Sequence, residues 1–395
     1  MRRGGGRGVR ASFGCIRGAG AGGVADAGVM RLDSGDGLGG SGAADGGMPV
    51  GGAGGGRGAG GFLREVRDAV TPRSALLVLG VLALGVLFIA SYAGAFHSPK
   101  PKDIPFGVVA PAQVRGEVVG RLDGLRGSPL SARAVASREA AVGQIRDRKL
   151  DGALVVDQRG RQDVLLVASG GGQSLADAVE RVVASAEGAQ GRDVRTVDVA
   201  AADSGDARGL SAFYLVVGWC VGGYLCAAIL AVSYGARPSS PRRAVIRLGV
   251  LVLYAIALGV LGAVVIGPVL GALPGSVAGL AALGALVVCA AGATTFAFQG
   301  MLGVVGIGVT VLVIVIAGNP SAGGAYPYPL LPPFWRELGP ALIPGAGTWT
   351  ARSIAYFGGR AMTGPLLVLA AWAVGGAVLT LLFARVRASD AQRPV

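Results

Sequence analysis

Residues 74–96 read SALLVLGVLALGVLFIASYAGAF, which is 23 residues without a charged side chain. A helix of that length rises about 34 Å, enough to cross a hydrocarbon core of about 30 Å. A secretory signal peptide is the competing interpretation, but its apolar part is only about 7 to 15 residues long. The stretch therefore predicts a transmembrane helix and an integral membrane protein.

Five further apolar segments are long enough to cross a membrane, so we expect six transmembrane helices in all. Residues 97–210 separate the first two helices and are mostly polar, which predicts a folded domain outside the bilayer. The predicted fold class is an α-helical membrane protein with six transmembrane helices and an extracytoplasmic α/β domain at residues 97–210. Helices 2–6 occupy residues 211–384, as the segments 211–234, 246–267, 277–298, 300–317 and 362–384.

The 97–210 domain alternates short β-type runs with helix-type runs, the order typical of a small α/β sheet domain. Short runs of β-branched and apolar residues favour strands, whereas a 3.6-residue apolar period favours helices. The predicted strands are residues 104–110, 131–135, 151–156, 163–168 and 193–199, and the predicted helices are residues 136–149 and 174–188.

The composition agrees with a membrane protein, since 52% of the 395 residues are hydrophobic and the mean hydropathy is +0.59. The net charge of +13 comes mainly from Arg, which gathers in the N-terminal tail and beside the apolar segments. This placement favours membrane lipid as a partner and argues against a nucleic-acid partner.

The N-terminal part divides into two stretches. Residues 1–61 are dominated by Gly and have no apolar periodicity, which predicts a disordered Gly-rich tail. The translation start could be Met1, Met30 or Met48, because each of the three is compatible with the rest of the fold. Residues 62–73 alternate apolar and charged side chains at helical spacing, which predicts an amphipathic interfacial helix. A juxtamembrane linker is the alternative.

Arginines flank the apolar segments unevenly. Placing both termini in the cytoplasm puts the larger set inside, as the positive-inside rule requires. The smaller outer set includes Arg336, Arg352 and Arg360. We therefore predict a multi-pass protein of the cell (plasma) membrane with a cytoplasmic tail at residues 385–395. The inner set is Arg64, Arg67, Arg73, Arg237, Arg242, Arg243, Arg247, Arg385, Arg387 and Arg393.

Residues 318–361 are rich in Pro and aromatic residues and too polar to span. Aromatic rings of this kind concentrate at membrane interfaces, and short packed helices would satisfy the backbone better than a free loop. The stretch predicts an outer re-entrant or interfacial segment, with a plain anchoring loop as the alternative. Its marked residues are Pro333, Phe334, Trp335, Pro344, Gly345, Gly347 and Arg352.

The chain lacks the residues that several common kinds of functional site require. No Lys follows a Gly-rich phosphate-binding loop, so the chain has no ATPase motif of its own. His97 is the single histidine, which disfavours a catalytic triad or a metal site. The interiors of the apolar segments carry no ionisable residue, which disfavours an ion-coupled carrier. We predict no catalytic, cofactor-binding or metal site.

Four features of residues 62–385 together resemble one known family. They are the amphipathic stretch FLREVRDAV at 62–70, the aromatic and Gly-rich stretch 213–224, the closely spaced third to fifth segments, and the stretch 318–357 with its LPPFWR and PGAG runs. This layout resembles the permease subunits of type-2 ATP-binding-cassette exporters, especially those related to phage-infection-protein-like membrane proteins. The resemblance implies a homodimer driven by a separate cytoplasmic ATP-binding subunit.

The resemblance also implies that residues 238–247, between the second and third segments, transmit motion from that subunit. The arginines in and beside this coupling loop are Arg237, Arg242, Arg243 and Arg247. A role limited to setting the topology is the alternative for Arg242 and Arg243.

The sequence thus predicts the permease of an ATP-driven exporter that moves an amphiphilic or hydrophobic molecule out of the cytoplasm. The alternative is a non-transporting membrane scaffold whose extracytoplasmic domain binds an envelope component or a peptide.

Overall fold

The computed structural model describes residues 71–238 and 240–390, and most of them are helical. The predicted tail at residues 1–61 lies outside the described residues, and so does the interfacial helix except for its last residues. A helix over Pro72–Phe96 (α1) corresponds to the first predicted span. Thr71 caps it, because its side-chain oxygen accepts a hydrogen bond from the Ser74 N–H at 3.2 Å. Residues 72–73, predicted as part of the interfacial helix, therefore belong to α1.

A small α/β domain follows α1 in the chain. Its strands are Ile104–Val109 (β1), Leu130–Ala134 (β2), Gly152–Val155 (β3), Gln162–Val167 (β4) and Asp193–Asp198 (β5), and its helices are Ala112–Asp123 (α2), Arg138–Arg146 (α3) and Gln173–Gly188 (α4). The sheet order is β2-β1-β3-β4-β5, with only β3 and β4 antiparallel. The strands, α3 and α4 lie where the sequence predicts them, whereas α2 had no prediction of its own.

The domain has three layers, because helices cover both faces of the sheet. Val118 of α2 and Val179 of α4 pack with Phe106 of β1 on one face. Ile145 of α3 packs on the other face. Leu330, from far outside the domain in sequence, joins the first of these cores. The domain is therefore completed by a residue of the segment 318–361.

The described residues that follow the domain are mostly helical. Its helices are Ser211–Tyr234 (α5), Pro241–Val264 (α6), Val277–Leu302 (α7), Val305–Ser321 (α8), Pro333–Leu338 (α9), Ile343–Tyr356 (α10) and Thr363–Asp390 (α11). Within the described residues, five helices are long and apolar enough to cross a membrane: α1, α5, α6 with its extension to Val269, α7 and α11. The prediction of a multi-pass α-helical membrane protein is therefore confirmed.

The fifth predicted span, residues 300–317, does not have the predicted bounds. Residues up to Leu302 still belong to α7, and Gly303 ends that helix with φ of +68°. The chain then turns and forms α8, a shorter helix of 17 residues whose Val311–Gly318 part is π-helical. Hydropathy could not locate this break, because the residues on both sides of Gly303 are apolar.

Two other boundaries differ from the prediction. The helix predicted at 246–267 begins at Pro241, because Ser240 caps it by accepting a hydrogen bond from the Arg243 N–H at 3.4 Å. The last helix continues to Asp390, so much of the tail predicted at residues 385–395 is helical.

The bundle has two distinct ends. We call the end beside the α/β domain the domain end. The opposite end is the arginine end, defined by Arg237, Arg242, Arg243, Arg247, Arg385 and Arg387.

Helix α7 lies at the centre of the bundle, and small residues bring its neighbours close. Trp219 of α5 is 1% exposed, and its Nε1 donates a hydrogen bond to the Leu258 carbonyl of α6 at 3.2 Å. A Cβ atom on Gly223 of α5 would lie only 2.7 Å from the Val288 carbonyl oxygen of α7. Close approach of α5 and α7 therefore depends on this glycine.

We expect Gly223→Val to lower the stability of the bundle by about 1–3 kcal/mol or more, because the added atoms would overlap backbone that cannot move aside easily. Thermal unfolding in detergent measures the effect. The matched control is Gly249→Val in α6, where a Cβ atom meets nothing within 4 Å. Equal melting temperatures for the two variants would contradict this packing.

Candidate functional site

The segment between α8 and α11 packs on the bundle and is largely buried. Pro344 lies against Gly318 at the end of α8, and Gly347 lies against Val216 of α5. A Cβ atom on Gly345 would lie 2.0 Å from the Gly339 carbonyl oxygen, so the chain can fold back here only at a glycine. These three marked residues therefore seat α10 among the bundle helices.

The other marked residues of this segment have different surroundings. Pro333 opens α9, whose Phe334 is 66% exposed. The Nε1 atom of Trp335 is 4.0 Å from the position of a Cβ atom on Gly94 of α1. The two rings contact each other edge to face, with centroids 5.0 Å apart, but only the Trp335 ring lies against α1.

Arg352 of α10 is 3% exposed and joins three parts of the chain. Its Nη1 donates a hydrogen bond to the Gly323 carbonyl at 2.6 Å, and its Nη2 donates to the carbonyls of Gly209 and Gly324 at 3.0 and 2.8 Å. Burial lowers the pKa of Arg352 to about 10, so it stays charged at neutral pH. It holds α10 to the start of α5 and to the segment after α8.

Arg148, from the α/β domain, reaches the same helix. Its guanidinium carbon lies 3.4 Å from the centroid of the Trp349 ring, a cation–π contact. Its Nη1 donates to the Trp349 carbonyl at 2.8 Å and to Ser353 Oγ at 2.9 Å. Burial and the nearby charge of Arg352 lower the pKa of Arg148 to about 9. No local sequence pattern indicates this role, because Arg148 is some 200 residues from its partners.

Two further contacts fix the domain to the bundle. The Tyr356 hydroxyl donates a hydrogen bond to Asp206 Oδ2 at 2.8 Å, and burial raises the pKa of Tyr356. Arg360 forms an ion pair with Asp147 at 2.9 Å. We call the contact between the α/β domain and α10, built on Arg148, Asp206, Arg352 and Tyr356, the domain junction.

The arginine end divides the four arginines predicted for coupling into two pairs. Arg247 is 6% exposed, and its Nη2 donates to the carbonyls of Tyr234 and Gly235 at 3.0 and 2.9 Å. Arg237 donates to the Met301 carbonyl at 3.2 Å. These two cap helix C-termini, where a cation is favoured.

Arg242 and Arg243 make the other pair and are exposed at the first turn of α6. Neither side chain forms a hydrogen bond or an ion pair with another described residue. They are therefore available to a partner, whereas Arg237 and Arg247 already serve the fold.

The described part of the chain holds no cluster of three His, Cys, Asp or Glu side chains that could bind a metal ion. Comparison with protein-family models, with curated proteins and with solved structures finds no match to this chain.

Proposed function

We propose that this chain is the membrane-spanning permease of an ATP-driven exporter that moves an amphiphilic or hydrophobic molecule out of the cytoplasm. In this proposal the chain crosses the membrane six times, works as a homodimer in contact with membrane lipid, and is driven by a separate cytoplasmic ATP-binding subunit.

The sixth crossing is α8. It begins beside the arginine end of α7, where Gly306 faces Phe298, and it ends beside Pro344 at the domain end. Seventeen residues rise about 26 Å, slightly less than a hydrocarbon core of about 30 Å, and local thinning of the bilayer accommodates such a difference. Helix α1 runs in the same direction, because Leu84 lies by Gly308 and Ser91 donates a hydrogen bond to the Ile316 carbonyl.

The remaining helices alternate with these two. Helix α6 runs opposite to α7, since Leu251 meets Gly292 while Gly259 meets Ala281. Helix α11 runs parallel to α7, since Gly376 meets Ala293 while Phe383 meets Gly300. With six crossings of alternating direction, the two ends of the chain lie on the same side of the membrane. With the arginine end in the cytoplasm, the α/β domain lies outside the plasma membrane.

The observation that carries the proposal is the position of Arg242 and Arg243 at the start of α6. This helix and its extension continue to Val269, and the turn after it reaches α10, where a Cβ atom on Gly275 would lie 2.7 Å from the Ile354 carbonyl oxygen. A displacement of these arginines can therefore be transmitted through α6 and the turn that follows it to α10 at the domain junction.

The side chains of the transmembrane helices support an amphiphilic or hydrophobic substrate. Asp, Glu, Lys, Arg and His occur at the ends of the described spans and not in their interiors, which suits an amphiphile better than an ion. A cavity of about 450 Å³ between α7 and α11 is lined mainly by apolar residues such as Phe298 and Trp372, with Thr294 as a polar group. Such a surface fits hydrocarbon.

Labelling of single cysteines tests the number of crossings. With six, Ser185→Cys in the α/β domain reacts with an impermeant thiol reagent in intact cells, and Ser389→Cys near the end of α11 does not. Both serines are exposed in the structure, and Cys15 is replaced by Ser to lower the background. If α8 did not cross, the two positions would lie on the same side and would react alike.

A further inference from the structure

A cavity of about 220 Å³ lies at the domain junction, between the α/β domain and the segment that follows α8. This is room for about seven water molecules or for one small organic molecule. Its apolar walls include Ile145, Leu175 and Phe357. The cavity is thus a candidate site that belongs neither to the spans nor to the arginine end.

Four residues with polar side chains line the cavity, and two of them are cationic. They are Arg148, Asp151, Tyr328 and Arg352. The Nη1 of Arg148 makes both of its hydrogen bonds, which leaves the other nitrogens of that guanidinium free of partners among the described residues. Arg352, although almost fully buried, has an Nε with no hydrogen-bond partner in the described part of the chain. Buried donors of this kind normally have an acceptor.

Asp151 is the one carboxylate of the lining, and it faces Arg148. Burial raises its pKa to about 6, against the opposing effect of Arg148. Two arginines and one aspartate leave the cavity with a net positive charge at neutral pH. An anion is therefore the charge type that the cavity favours, and the apolar walls favour a ligand with a hydrocarbon body.

We propose that this cavity binds a small organic carboxylate, with its carboxylate on the free guanidinium nitrogens of Arg148, beside the positive charge of Arg352, and with its apolar body against Leu175 and Phe357. A carboxylate suits this position because guanidinium groups bind it through paired hydrogen bonds. The inference does not depend on transport. A bound carboxylate would connect the α/β domain to α10 and would strengthen the domain junction.

Binding of benzoate to the purified full-length protein, measured by calorimetry and by the rise in melting temperature, tests the proposal. Benzamide has the same shape without the charge and should bind at least about tenfold more weakly, because a charge-assisted hydrogen bond contributes about 1.5–3 kcal/mol. Inorganic phosphate supplies charge without an apolar body and should bind more weakly than benzoate. Equal binding of benzoate and benzamide, or no binding of benzoate, would overturn the proposal.

Two substitutions in the lining of the cavity and one control test whether benzoate binds there. Arg148→Asn should weaken benzoate binding at least about tenfold, because it removes the guanidinium that binds the carboxylate. Asn is chosen because it tolerates the positive φ of this position, 57°. Gly171→Val should block binding without removing charge, because Gly171 lines the cavity and the added side chain would occupy it. The protein should still fold, since a Cβ atom at this position meets only Phe357, at 3.5 Å. The control, Arg181→Asn, changes an exposed arginine of the same domain and should have no effect.

Asp151→Asn gives the opposite result, because it removes the negative charge that faces the carboxylate. It should tighten benzoate binding severalfold at about pH 7.5, and lowering the pH to about 5.5 should do the same for the wild type. Of the titratable lining groups, Arg148 and Arg352 stay protonated over this range, and burial raises the pKa of Tyr328 to about 12. Unchanged affinity in Arg148→Asn or Gly171→Val, or weaker binding in Asp151→Asn, would place the benzoate elsewhere.

Discussion

Replacing Arg352 by Met is expected to lower the free energy of unfolding by about 3–5 kcal/mol. The substitution keeps most of the side-chain volume but leaves the carbonyls of Gly209, Gly323 and Gly324 without their donor in a buried position. Buried polar groups that lose their partner cost far more than exposed ones. Thermal unfolding of the purified protein should show a drop of roughly 10 °C.

The control for this experiment is Arg360→Met in the same part of the chain. Arg360 is exposed and pairs with Asp147 at 2.9 Å, and an exposed pair of this kind contributes less than about 1 kcal/mol. If the two variants melted at the same temperature, Arg352 would not be what joins α10 to α5.

Reversing the charges of Arg242 and Arg243 together, as Arg242→Glu with Arg243→Glu, is expected to abolish ATP hydrolysis by the subunit that copurifies with the chain. Each reversed charge would repel the acidic partner that bound the arginine, and like charges at an interface cost several kcal/mol. Membrane insertion should be unchanged, because Arg237, Arg247 and Arg387 keep their capping contacts and the positive-inside bias. Vanadate-sensitive hydrolysis is measured at equal amounts of inserted protein.

A double reversal at Arg126 and Arg181 of the α/β domain gives the control, since both are exposed and far from the arginine end. It should leave hydrolysis unchanged. Full hydrolysis in the Arg242→Glu, Arg243→Glu protein would limit these two arginines to setting the topology.

The sequence predicted those parts of the fold that local patterns determine. Residues 74–96 formed the expected helix because an uncharged run of this length has one stable conformation in a membrane. The strands of the α/β domain were placed well because runs such as Ile104–Val109 are buried on the sheet. The prediction for residues 300–317 was wrong in its bounds because Gly303, among 71 glycines, carries no mark that distinguishes it.

The domain junction could not be predicted, for a different reason. Arg148 meets Trp349 and Ser353 across some 200 residues of sequence, so no local pattern reports the contact. Arg352 was marked only as a residue of the predicted outer segment, and its three carbonyl partners explain what it does. At the arginine end, four arginines were predicted in and beside the coupling loop, and only the structure shows that Arg237 and Arg247 are held by helix-capping contacts, unlike Arg242 and Arg243.

The decisive measurement is ATP hydrolysis in a preparation of the wild-type chain that is purified from its native membrane and reconstituted into liposomes. The proposal predicts that a vanadate-sensitive ATPase copurifies with the chain and that amphiphiles from an extract of the native lipids stimulate its hydrolysis. If no ATPase activity accompanied the wild-type chain, the exporter proposal would be contradicted, and a scaffold whose α/β domain binds an envelope component or a peptide would be favoured.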